Sequence, residues 1–67
     1  MESSILAVRI QACRKYAQLT QEEVAKKTET TRSTVAQWEN GLIVPTLAQL
    51  EKICRALECK SIDILGF

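Results

Sequence analysis

The sequence has 67 residues, room for one hydrophobic core and not two, since a chain of this size buries only about 60% of the surface it exposes when unfolded. A hydrophobic share of 46% with 25% charged residues excludes a disordered tail, and no apolar run approaches the roughly 20 residues that cross a bilayer. The net charge of only +1 gives no compositional argument for a nucleic-acid partner, so that argument has to come from patterning.

At the N-terminus Glu2 precedes a short apolar run and the basic residues follow it, the reverse of a secretory signal's order. A cytoplasmic location, in the prokaryotic cytosol or nucleoid, is expected. On a helical wheel Leu6, Ile10, Cys13 and Ala17 form one narrow stripe, which predicts a first amphipathic helix. A second stripe on it, Ile5, Val8, Ala12 and Tyr16, is available either to a terminal turn carrying Ile62, Leu65 and Phe67 or to a partner subunit.

Thr20 followed three residues later by Glu23 is a capping box and opens a second helix with Val24 and Ala25 facing inward. The cluster Thr28, Glu29, Thr30 and Thr31 ends it, because these short polar side chains compete for backbone hydrogen bonds. Thr31 or Thr30 then caps a third helix through Arg32, Ser33, Val35 and Trp38, which stops at Asn40 and Gly41. Pro45 keeps the next segment out of helix. Thr46 with Gln49 is another capping box, and Leu47, Leu50, Ile53, Cys54 and Leu57 recur at helical spacing behind it. Ser61 starts a last short turn with Ile62 and Leu65. The expected architecture is all-α, a compact five-helix bundle forming one domain over residues 1–67.

The three cysteines, Cys13, Cys54 and Cys59, are an odd number and no histidine is present, so a Cys/His zinc site is excluded and no metal or cofactor is expected. Cys13 and Cys54 read as small reduced core residues, and Cys59 as the exposed thiol. Catalysis finds no support either: there is no histidine, Gly-rich phosphate loop or credible acid pair. The protein is not expected to be an enzyme, nor to bind a small-molecule ligand.

Function is carried by Thr20 to Gly41, two short helices about a turn of roughly four residues, the helix-turn-helix arrangement. In the second of these helices Val35 and Trp38 point one way, whereas Arg32, Ser33, Ala36, Gln37 and Asn40 occupy the opposite arc. The presented arc has the chemistry of base readout. Gln37 can pair bidentately with adenine, Arg32 with guanine or phosphate, Ser33 with either, and Ala36 can lie against a thymine methyl. Gln21, beside the free N–H groups that open the preceding helix, can hold a phosphate, and Asn40 can clamp the backbone from the other side. Trp38, next to Val35, reads as a core residue rather than a base-stacking one.

From about Ile10 to Leu65 the sequence resembles the phage repressor and Cro-like helix-turn-helix family, the lambda-repressor-like domain of xenobiotic-response-element type, which includes restriction-modification controller proteins. The matching residues are Leu19 to Glu23, Val24 and Ala25, Arg32 to Val35, Trp38 to Gly41, and Pro45 to Leu47. The resemblance implies Gln21 as a phosphate clamp, Arg32, Ser33 and Gln37 as base readers, and Thr31 and Asn40 as backbone contacts, with Thr34 and Ala36 on the same surface. It also implies a structural ion pair between Arg14 and Glu39. The sequence departs from the family where Glu29 stands in place of the usual turn glycine, where Thr28 and Thr30 replace apolar residues, and where the loop Leu42, Ile43 and Val44 is unusually apolar.

That apolar loop is read as a dimer patch beside the recognition helix. The expected function is sequence-specific binding of double-stranded DNA by a homodimer on a palindromic operator, as a transcriptional regulator of repressor type. The alternative is a helix-turn-helix antitoxin or adaptor working mainly through protein contacts.

Overall fold

The computed structural model describes residues 2–58, which form four helices: α1 (Glu2–Tyr16), α2 (Gln21–Lys27), α3 (Arg32–Glu39) and α4 (Leu47–Leu57). No strand occurs among the described residues. Four of the five expected helices fall within these residues; the fifth element, the turn expected at Ser61 with Ile62, Leu65 and Phe67, and the thiol of Cys59 lie outside the described residues.

Three of the helices start on a threonine. The Thr20 hydroxyl accepts the Glu23 N–H at 3.1 Å while the Glu23 carboxylate accepts the Thr20 N–H at 2.7 Å, so two orphan donors are satisfied reciprocally. Thr46 and Gln49 repeat the arrangement at 3.1 and 2.8 Å. Thr31 is the cap of α3, accepting the Thr34 N–H at 3.2 Å. Replacing such a cap by alanine costs about 1 kcal/mol.

The first three helices also end alike. Leu19 N–H reaches the Arg14 carbonyl at 3.1 Å, Thr30 N–H the Ala25 carbonyl at 2.9 Å, and Leu42 N–H the Gln37 carbonyl at 3.0 Å. Each is the long bond of a Schellman motif, accompanied by the shorter one from Gln18 to Lys15, Glu29 to Lys26 and Gly41 to Trp38. The residue before each of these long-bond donors is left-handed, with φ of 61° at Gln18, 59° at Glu29 and 75° at Gly41. Only the last is glycine, so the other two ends carry the strain of a Cβ in that region.

These tight ends let four short helices enclose one cluster. Ile10, Val24, Val35, Trp38 and Ile53 are sealed from solvent, joined by Ala25 and Leu57, with Leu6, Cys13, Leu19, Leu50 and Cys54 packed at the margin. Helix α3 rests on α1 and α2, and α4 rests on α2. Full burial of each large aliphatic side chain contributes about 1.5–3 kcal/mol. Thr28, in a position where an apolar residue would be expected, is buried as well; its hydroxyl donates to the Val24 carbonyl at 2.7 Å, which removes the cost of sequestering it.

One expectation about burial changes. Leu47, the first residue of α4, is 75% exposed and is not a core residue; the buried residues of that helix are Ile53 and Leu57. Ala7 is buried instead, under the turn at Gly41, where an added Cβ would lie 3.9 Å from the Ala7 Cβ. Ile5, Val8 and Tyr16, on the outer stripe of α1, are exposed. No helix among the described residues is long and apolar enough to cross a membrane.

Candidate nucleic-acid interface

Thr28 to Thr31 form the turn between α2 and α3, and they aim α3 so that one side is inside the molecule and the other outside. Val35, Trp38 and Glu39 are buried. Thr31, Arg32, Ser33, Gln37 and Asn40 are exposed, and Thr34 and Ala36 are half-buried between the two sides. The structure thus brings Arg32, Ser33, Ala36 and Gln37 onto a single outward surface. The Thr34 hydroxyl lies 3.0 Å from that of Thr31, so these two side chains are paired at the start of the helix. An eight-residue helix is about 12 Å long, the size of segment that a major groove admits.

What holds this surface in place is a polar network behind it. The Glu39 carboxylate accepts from Arg14 Nε at 2.6 Å, from Arg14 Nη2 at 3.1 Å and from Gln21 Nε2 at 3.0 Å. Arg14 Nη1 donates in turn to the Leu19 carbonyl at 2.9 Å. The Glu39 side chain is 1% exposed and that of Arg14 12%, so the pair is nearly dry and its charges are compensated by hydrogen bonds on both partners. One guanidinium and one carboxylate therefore join α1, the turn after it, the start of α2 and the end of α3.

Gln21 is the residue whose surroundings sequence reasoning missed. The sequence offers it as a phosphate clamp, and the structure adds that its amide nitrogen donates to Glu39. A primary amide nitrogen carries two hydrogens, so one remains for an outside acceptor. Nothing in the sequence signals a contact across 18 residues, because no helical or turn periodicity spans that distance. The Glu29–Lys52 pair, 3.0 Å apart on the surface between the turn and α4, was likewise not foreseen.

Around the surface the charges are mixed. Glu22 and Glu23 occupy the first turn of α2 and Lys26 and Lys27 its last, each favourably placed on the helix dipole. The carboxyl of Glu23 is held below its usual value, first by the backbone N–H of Thr20 that it accepts, then by the Thr20 hydroxyl, with Lys27 and Lys26 adding to it and desolvation opposing. The Trp38 indole N–H is buried and meets no acceptor among the described residues, and the ring packs within the core cluster. The loop residues Leu42, Ile43 and Val44 are exposed and make an apolar run in sequence after the end of α3, and Leu47, three residues further on, is exposed as well. An open groove between α1 and α4, lined by Cys13, Tyr16, Leu19, Lys27 and Leu57, is bordered by none of the exposed α3 residues.

Comparison with known proteins agrees with this geometry. The family model described as helix-turn-helix matches residues 10–65. No curated protein matches the sequence. Among solved structures, the clp gene regulator ClgR from C. glutamicum is similar with a TM-score of 0.92 at 20% identity, over 98% of this chain and 86% of that one. A mutant of the restriction-modification controller protein C.Esp1396I is similar with a TM-score of 0.88 at 24% identity, over 98% and 86% respectively. At such identities the two structures establish the fold, and the family match carries the function: the chain belongs to the helix-turn-helix family and is a DNA-binding transcription regulator.

Proposed function

We propose that the protein is a repressor that acts as a homodimer on a palindromic operator, each subunit a single domain over residues 1–67 that lays α3 in the major groove. The observation that supports this most directly is the polar outer side of α3, Arg32, Ser33, Ala36 and Gln37, backed by the buried Val35 and Trp38. A side chain reads bases only if the helix behind it does not yield, and burial of those two residues supplies the stiffness. In this reading Gln37 pairs with adenine, Arg32 with guanine, Ser33 with either base, and Ala36 touches a thymine methyl. Gln21, Thr31, Thr34 and Asn40 hold the sugar-phosphate backbone on either side.

Two such subunits would read half-sites about 34 Å apart on one side of the duplex. The exposed Leu42, Ile43 and Val44 are the surface we assign to the second subunit, since a solvated run of three aliphatic residues is unfavourable in a monomer. Control would then follow protein concentration in the cytoplasm, through dimerisation and occlusion of polymerase.

Selection of bound sequences from a random duplex pool at fixed salt tests the reading. A two-fold symmetric consensus is expected, and Arg32→Ala and Gln37→Ala are each expected to lose about 1–3 kcal/mol against the selected site and to relax preference at one position. The same apolar loop also suits a partner protein of another kind. If both alanine variants shift DNA as the wild type does, the antitoxin or adaptor reading replaces this one.

A further inference from the structure

We propose that Glu39 is a positioning residue for DNA binding: its buried carboxylate fixes which end of the Gln21 amide faces outward and couples that phosphate contact to the recognition helix. The inference rests on the DNA-reading role of α3 argued above. A glutamine amide has a donor end and an acceptor end of nearly the same shape, and in solvent the two interchange by rotation about one bond. Glu39 removes that freedom. An ionised carboxylate only accepts, so the N–H end of Gln21 is the end that can sit 3.0 Å from it, and the carbonyl oxygen is turned aside.

A phosphate oxygen also only accepts. The second hydrogen on Gln21 Nε2 therefore leaves the protein as a donor already in the sense a phosphate needs, whereas the rotated amide would present an oxygen to a phosphate and repel it. Glu39 is itself held by two bonds from Arg14, so it does not swing to follow Gln21. It stands in the last turn of α3 and Gln21 in the first of α2. The link thus sets the distance between a backbone contact and the base-reading residues Arg32 and Gln37 through side chains, in parallel with the peptide turn. A donor ordered before binding loses less rotational freedom on contact, which raises affinity without adding a contact.

The test is a double-mutant cycle on affinity for the selected duplex, with circular dichroism confirming folded protein at the temperature used. Gln21→Ala is expected to weaken binding about tenfold in the wild-type background and by less than about twofold in the Glu39→Gln background, because without the carboxylate Gln21 no longer presents a fixed donor. Two losses that simply multiply would overturn the proposal and leave Glu39 a stabilising residue only. Where Glu39→Gln does not fold, the wild-type protein decides: side-chain amide resonances of Gln21 as ordered as the backbone, without DNA, support the proposal, and freely averaging ones overturn it. Absence of any duplex binding by the wild type would overturn the DNA reading and this proposal together, an outcome distinct from binding with multiplying losses.

Discussion

The ammonium of Lys52 on α4 lies 3.0 Å from the carboxylate of Glu29, 23 residues earlier, at the left-handed position that ends α2. Both side chains are largely exposed, so this ion pair is worth at most about 1 kcal/mol. The backbone strain of a non-glycine residue at φ of 59° is of similar size. The pair compensates in part for a residue that its backbone does not favour.

Glu29→Gly is expected to raise stability, by up to about 1 kcal/mol less whatever the Lys52 pair contributes. Lys52→Met measures that contribution separately. Gln18→Gly, at φ of 61° with no ion pair to another described residue at stake, is expected to give the fuller gain. Thermal melting of the three variants orders them; a lower midpoint for Gln18→Gly contradicts the strain argument.

Arg14→Ala strands the Glu39 carboxylate in a nearly dry site. A loss of about 3–5 kcal/mol is expected, a large part of the stability of so small a domain, with a matching fall in DNA affinity. Replacing both partners at once, Arg14→Met with Glu39→Leu, is expected to restore most of the stability because no unpaired charge is left behind. Urea unfolding of the single and double variants checks both statements.

Glu23 sets a pH dependence whose direction is fixed. Its carboxyl titrates below the ordinary value in the folded protein, so the folded state favours the ionised form. The stabilisation is complete above the unfolded-state value and is lost as pH falls through the folded one. Glu23→Gln keeps an acceptor for the Thr20 N–H and removes the charge. Denaturant titrations are expected to show the wild type more stable at neutral pH and the difference shrinking as pH falls through the lowered folded-state value.

Ile43→Glu is expected to leave the melting temperature of the monomer within experimental spread, since the side chain is 42% exposed. Self-association is expected to weaken at least tenfold, because a carboxylate in an apolar contact has no partner. Sedimentation over a concentration series reads any monomer and dimer, and an unmoved equilibrium removes this loop as a contact between subunits.

The starts and stops of the helices were legible in the sequence. Thr20 with Glu23, Thr46 with Gln49, and Gly41 after Asn40 act through bonds that close within a few residues, so residue type and spacing suffice to foresee them. The same holds for the inward positions Ile10, Val24, Val35, Trp38, Ile53 and Leu57, which follow from helical periodicity. The left-handed turn at Glu29 came from the family resemblance, which sets glycine there.

Sequence by itself therefore determined which segments are helical, which side of α3 is apolar, and to which family the chain belongs. Tertiary structure alone decided that Leu47 is left in solvent while Ala7 is covered by the Gly41 turn, that Glu39 takes a bond from Gln21 as well as from Arg14, and that Lys52 reaches Glu29. The difference is one of range. Capping and periodicity are properties of the local chain, whereas contacts such as those across 18 and 23 residues depend on where helices cross, and the crossing is set by how all the core side chains pack at once; the Arg14–Glu39 pair was legible only through the family resemblance.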